Sequence, residues 1–258
     1  MYKIVTPVSH LFFNKKNAKK IFKCSDHLEI RERTINLDFK NEFFFHCDDD
    51  LTLPWSKDFK IQLEQILKRK KNLKYITFQA TRCCANAKIV NKVFILSGKK
   101  FTKKEMLYEA KKNIIWLRKK FGNKFRIGLE NNNYYPTKAY DIIADADFIS
   151  HVVRKNNLFF LLDLAHAQVT ASNKKINYQD YLESLPMDLM IQMHICRPRI
   201  HDNKISRDTH YLPNKKMFEE IKLLSSKYKN LKFFTIEYYK NADKLIESIK
   251  KLKKVLKK

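Results

Sequence analysis

Leu158–Asn173 reads LFFLLDLAHAQVTASN. An unbroken apolar run, Leu158–Leu162, leads into Asp163, and His166 follows three residues later. A short apolar run without polar alternation predicts a parallel strand buried on both faces. Asp163 then stands at the C-terminal tip of that strand, where open α/β sheets and barrels place their chemistry. A carboxylate and an imidazole leaving one strand end can reach one ion. The same pair also fits a local role, with Asp163 capping the next turn and His166 satisfied nearby.

Outward from this stretch, strand-like and helix-like runs alternate. Tyr2–Thr6, His27–Arg31, Glu42–His46, Tyr75–Gln79, Phe125–Glu130, Leu158–Asp163, Asp188–His194 and Lys232–Glu237 read as strands. Helical spacing appears around Ala18–Phe22, over Ser56–Leu67, Tyr140–Lys155, Tyr178–Leu185 and Met217–Tyr228, and in the stripe Leu245, Ile249, Leu252, Leu256. Another helix opens at Thr102, with Glu105 completing a capping box, and ends near Gly122. Lys88–Lys100 reads as an irregular insertion and Cys196–Asn214 as a long loop of the kind that often carries function. Eight strands alternating with helices in 258 residues predict an α/β fold, a (β/α)8 TIM barrel forming one domain over residues 1–258.

Composition narrows the function. Hydrophobic residues make up 44% of the chain, enough for a core. No run reaches the length of a membrane span, and Met1–Asn14 shows no export signal. Five cysteines without framework spacing fit reduced thiols and a cytoplasmic location. Adjacent Cys83 and Cys84 are too close for an unstrained disulfide and read as small buried fillers. The net charge of +26 would suit nucleic acid, but the lysines are spread along the whole chain, so solvated faces are the first reading. With three glycines a dinucleotide-binding loop is excluded, and neither GxSxG nor GxxxxGK[ST] occurs.

The strand ends share a pattern. Glu130 closes RIGLE, Asp163 closes FFLLD, His194 closes IQMH, Glu237 closes FTIE and His46 closes FFFH, while Asp208 and His210 lie in RDTH of the long loop. In a barrel these tips converge on one mouth. Carboxylates gathered there repel one another and raise each other's pKa values, and a bound cation removes the conflict. Mixed imidazole and carboxylate donors suit iron, zinc or manganese. The donors His46, Glu130, Asp163, His166, His194, Asp208, His210 and Glu237 are too many for one ion, so two or three are expected. Glu130 and Glu237 are also the candidate catalytic bases.

The order Glu130, Asp163-x-x-His166, His194, Asp208-x-His210, Glu237 resembles the xylose isomerase-like TIM barrels. Within them, ENNNYYP, FLLDLAHAQVTASN, YLESLP with QMHI, and DTHYLP resemble the multinuclear non-haem iron-dependent oxidases, the group containing the methanobactin biosynthesis enzyme. The resemblance covers Phe125–Glu237, with His46 matching a histidine on an early strand. It implies a barrel holding two or three irons that uses dioxygen to oxidise a cysteine-containing peptide, often presented by a partner protein. It also implies that His46, Glu130, Asp163, His194, Asp208, His210 and Glu237 are ligands. Ala165–His166 stand where that group commonly has Asn–Asn, and CRPR stands where a second His and a Gly are usual. Asp163 with His166–Ala167 also resembles the endonuclease IV-like enzymes, which would act on DNA with three divalent ions. Gln79 stands where those have a second early histidine. A divalent-metal sugar isomerase or epimerase is a further alternative.

Overall fold

A computed structural model describes residues 1–257. Eight parallel strands close a barrel: β1 (Lys3–Pro7), β2 (His27–Arg31), β3 (Glu42–Asp50), β4 (Tyr75–Gln79), β5 (Arg126–Glu130), β6 (Phe159–Asp163), β7 (Met190–Ile195) and β8 (Phe233–Ile236). Sequence neighbours are spatial neighbours throughout, and β8 pairs with β1 to close the ring. The helices are α1 (Lys15–Phe22), α2 (Lys57–Arg69), α3 (Lys103–Phe121), α4 (Ala146–Lys155), α5 (Leu164–Lys174), α6 (Tyr178–Ser184), α7 (Lys215–Lys227) and α8 (Ala242–Leu256).

Their distribution is uneven. Between β2 and β3 the chain makes only a 3-10 turn, Glu32–Thr34, whereas α5 and α6 both lie between β6 and β7. The expected helix over Tyr140–Lys155 begins at Ala146, after a 3-10 turn at Lys138–Tyr140. The insertion at Lys88–Lys100 contains an antiparallel hairpin, Lys88–Val90 with Val93–Ile95. The long loop contains a second hairpin, Arg197–Arg199 with Arg207–Tyr211. The third strand does not stop at His46 but runs on to Asp50, with a register shift against β4 between the two residues. That continuation draws Asp50 back to β4, where its Oδ2 accepts from Thr81 N at 2.6 Å.

Period-two alternation explains the barrel interior. Phe44 and His46 share one face of β3, Phe159, Leu161 and Asp163 one face of β6, and Phe233 and Thr235 one face of β8, which Glu237 continues. The N-terminal halves of these faces form an aromatic plug. Phe44 stacks on Tyr75 at 4.6 Å between ring centroids and meets Phe233 edge-on at 4.8 Å. Val5, Leu161 and Ile191 complete it. Gly128 on β5 makes room, because a Cβ there would lie 2.3 Å from the Phe159 ring. A far larger cluster fills the layer between barrel and helices, including Leu245, Ile249 and Leu252 of α8. The polar ends of the same faces form a mouth whose floor is this apolar layer.

Candidate metal centre

Every strand-tip residue singled out in the sequence reaches this mouth. His46, Asp163 and His194 are fully buried and Glu130 and Glu237 nearly so. His194 Nδ1 lies 2.9 Å from Glu130 Oε1 and 3.6 Å from Glu237 Oε1. His46 Nε2 lies 3.5 Å from Glu130 Oε2. The second hairpin folds over the rim and delivers the remaining donors. His210 Nε2 stands 3.2 Å from Asp208 Oδ2 and 3.4 Å from Glu237 Oε2. Asp208 Oδ2 also stands 3.7 Å from His166 Nε2. His210 adopts φ +45°, a left-handed conformation costly for a non-glycine residue.

Asp163 fills the capping role that its sequence position suggested. Oδ1 accepts from His166 N at 2.8 Å and caps α5. Oδ2 is buried without a hydrogen-bond partner. Asn131 fixes the strand end from behind, its Oδ1 accepting from Asp163 N at 2.8 Å and its Nδ2 donating to Asp163 O at 3.0 Å. The Asn131 carbonyl also accepts from His166 Nδ1 at 2.8 Å. That bond puts a proton on Nδ1 and turns Nε2 toward Asp163 and Asp208, which against burial hold the imidazole pKa well above its ordinary value.

Glu29, Arg31 and Gln192 also line the mouth and were not anticipated. Glu29 on β2 is fully buried, and its Oε2 accepts from His194 Nε2 at 3.1 Å and from Gln192 Nε2 at 2.7 Å. Arg31 pairs with Glu29 Oε1 at 2.5 Å and, through the same nitrogen, with Glu237 Oε1. The signal for the first two was the alternation in HLEIR. In a barrel covered on its outer side, an alternating strand turns its polar residues inward, so Glu29 and Arg31 follow His27 onto the lumen face. Gln192 lay two residues before His194 and shares its face. Gln79 on β4 is also in the mouth, donating to Glu130 Oε2 at 3.0 Å.

The electrostatics are those of crowded anions held by buried cations. Burial pushes Asp163 up to about 7, and Glu130, Glu237 and Asp208 add their repulsion. Burial also opposes ionisation of Glu29, yet His194 and Arg31 outweigh it and hold that carboxyl far below its usual range. Glu237 is likewise held low against burial by His194 and Arg31. Burial pushes His46 down to about 4, with Arg31 adding, so its imidazole is neutral and able to act as a ligand. For His194, burial is overcome by Glu29 and Glu237, which hold its pKa well above the ordinary value.

The donor set fits metal ions. Glu130, Asp163 and His166 offer ligand atoms within 4.8 Å of one another, and so do Asp163, His194 and Glu237. His46 forms a third such group with His194 and Glu29. Asp163 Oδ2 and His46 Nδ1 are buried without hydrogen-bond partners, the condition that a bound cation relieves for oxygen and for unprotonated nitrogen. Cys83 and Cys84, by contrast, are plain buried fillers, Cys83 donating to the Lys138 carbonyl.

A closed parallel barrel with a mouth of acids and imidazoles makes the chain a (β/α)8 TIM barrel, similar in fold to a xylose isomerase domain protein of Alicyclobacillus acidocaldarius (TM-score 0.59, 12% identity, 100% of this chain and 98% of that one). The chain belongs to the RiPP precursor modification enzyme MbnB/TglH/ChrH family, which matches residues 101–256. Asp163, His194, Asp208, His210 and Glu237 fall inside the matched part, whereas Glu29, Arg31 and His46 precede it. A UPF0276 protein of Caulobacter vibrioides is 31% identical over 85 residues, 33% of this chain. The match spans 30% of that relative's length. The fold is similar to 3-keto-D-glucoside 4-epimerase YcjR of E. coli (TM-score 0.65, 14% identity, 98% of this chain and 100% of that one). It is also similar to D-psicose 3-epimerase of Clostridium cellulolyticum H10 (TM-score 0.64, 12% identity, 98% and 99%). Likeness at such low identity extends to the fold alone.

Proposed function

We propose that this protein is a di- or tri-iron oxidase that uses dioxygen to modify a cysteine-containing peptide, with a partner protein presenting the substrate. The observation that carries the reading is the unpartnered, fully buried Oδ2 of Asp163, encircled by Glu130, His166, Asp208 and Glu237 in a chain of a peptide-modifying family. His46, Glu130, Asp163, His166, His194, Asp208, His210 and Glu237 would hold the ions. Iron, when bound, supplies the electron exchange with dioxygen that no side chain here provides.

The chain's own residues prepare the site. Asn131 sets the His166 tautomer, and Glu29 accepts the His194 Nε2 proton so that Nδ1 is the nitrogen turned to Glu130 and Glu237. Arg31 engages one oxygen of Glu237 and leaves the other toward His210. Glu130 and Glu237 are the carboxylates best placed to take a substrate proton at the mouth. The aromatic plug gives the site an apolar floor, which suits chemistry that must avoid side reactions.

The test is metal analysis of protein purified without oxygen, followed by oxygen uptake with a cysteine-containing peptide substrate. The iron-loaded protein is expected to consume dioxygen and the zinc-loaded protein to consume none, since zinc has no accessible redox change. Asp163→Ala or His210→Ala should lower metal content while the barrel stays folded. A protein that refuses iron, fills with zinc and cleaves phosphodiesters would sink the proposal.

A further inference from the structure

One buried donor at the mouth differs in kind from the others. Cys196 is the first residue after β7 and enters the rim hairpin. Its side chain is fully buried, and its S–H donates to Asp208 Oδ1 across 3.3 Å. The sulfur, an Asp208 oxygen and a His210 nitrogen all lie within 4.8 Å of one another. Asp208 turns its other oxygen to His210 and His166, so this carboxylate already spans the sulfur on one side and two imidazoles on the other.

This thiol is unlike the filler cysteines. Cys83 faces a backbone carbonyl, whereas Cys196 faces acids. The second, independent observation is Asp163 Oδ2, which is buried without a hydrogen-bond partner and stands 3.9 Å from His166 Nε2, itself 3.7 Å from Asp208 Oδ2. A carboxyl oxygen without a partner and a thiol turned toward a carboxylate and an imidazole are the surroundings that bound cations relieve.

We propose that Cys196 is a thiolate ligand of the ion held by Asp208 and His210. The inference rests on the metal reading above and adds a soft donor to it. On binding, the S–H bond breaks, the proton leaves to bulk water, and the sulfur electron pair forms the bond to the metal. Nothing is oxidised or reduced. The positions in the mouth then become chemically unequal. The one at Asp208 and His210 favours metals that accept sulfur, such as iron, zinc or cobalt, over magnesium or manganese. The position nearest Glu130 and His46 keeps only nitrogen and oxygen donors.

Metal-free protein titrated with cobalt(II) under nitrogen tests this. The expected result is a thiolate-to-cobalt charge-transfer band in the near ultraviolet. It should be lost in Cys196→Ser, which keeps a hydroxyl able to bond Asp208, and kept in Cys47→Ser. Cys47 is the right control, because it forms a rival group with Glu32 and Asp49. The ligand-field bands of cobalt at the remaining positions should survive in Cys196→Ser. X-ray absorption at the zinc edge of the zinc-loaded wild type needs no variant to fold, and should show a sulfur shell at about 2.3 Å. Cobalt uptake without the band, a band that survives Cys196→Ser, or an all-nitrogen-and-oxygen zinc shell overturns this proposal and leaves the metal reading standing. A chain that takes up neither metal overturns both.

Discussion

Asp163 shows how one side chain serves fold and site at once. Its two oxygens divide the work: Oδ1 starts α5, and Oδ2 faces the acids of the mouth. This makes the metal-free protein sensitive to pH in a definite direction. The folded state holds Asp163 protonated up to about 7, against an ordinary value of 3.8. The folded state thus binds more protons than the unfolded chain in that window. The contribution of Asp163 to stability is full below about 3.8 and is lost as pH rises through about 7, by at most about 1.4 kcal/mol per pH unit. Asp163→Asn keeps the capping oxygen and removes the titration. In thermal melts without metal, the variant should gain on the wild type as pH climbs from 4 to 8, a widening gap in its favour. A gap that stays constant with pH would show that Asp163 does not titrate there. Glu29 acts one step back, through the His194 tautomer. Glu29→Gln should weaken metal affinity by roughly 10- to 100-fold while the circular dichroism of the barrel is unchanged, the usual size of such supporting effects. Equal affinity in competition titrations would remove its positioning role.

At the scale of elements, the strands were legible wherever an apolar run ended in one polar residue, as in FFLLD, RIGLE and IQMH. That pattern is a strand buried on both faces whose last residue emerges at the mouth. The early strands hid their contribution. HLEIR alternates like a half-exposed strand, yet α1 and its neighbours cover the outside, so the alternating polar side chains line the lumen. The hairpins were read as irregular because each strand is three to five residues long, too short for periodicity to register. His210 reaches Asp208 and Glu237 through pairing between Arg197 and Tyr211, a contact invisible in local sequence. The plug supplies a prediction at this scale. Gly128 leaves the space that the Phe159 ring occupies, and a methyl there would sit at 2.3 Å. Gly128→Ala should cost about 1–3 kcal/mol in urea denaturation, as overpacked cores do. Adding Phe159→Leu should recover part of the loss, because the two positions share one space. A neutral Gly128→Ala would show that the plug yields more easily than its packing implies.

For the whole molecule the open question is the charge. A net +26 on 258 residues is enough to attract any polyanion, and DNA is the partner that would favour a phosphodiesterase. The arrangement argues against a dedicated nucleic-acid surface. Lysines recur on α2, α3, α7 and α8, and many are paired locally, as Lys68 and Lys120 are with Glu64 and Lys251 is with Glu247. The mouth itself gathers carboxylates rather than free cations, with Arg31 committed to Glu29 and Glu237. On the rim, Arg197, Arg199 and Lys240 crowd Tyr211. A charge spread this way binds phosphates without register. Duplex DNA should therefore associate by counterion release alone, losing roughly a thousandfold or more in affinity between about 50 and 200 mM salt, with no preference for sequence. Metal-loaded protein should leave abasic duplexes intact under the same conditions. Electrophoresis of end-labelled abasic and undamaged duplexes decides the matter. Incision at the abasic site by the loaded protein, absent in Asp163→Ala, would transfer the whole mouth from peptide oxidation to phosphodiester cleavage, because the same carboxylates and imidazoles would then be serving a backbone that the surface charge had brought to them.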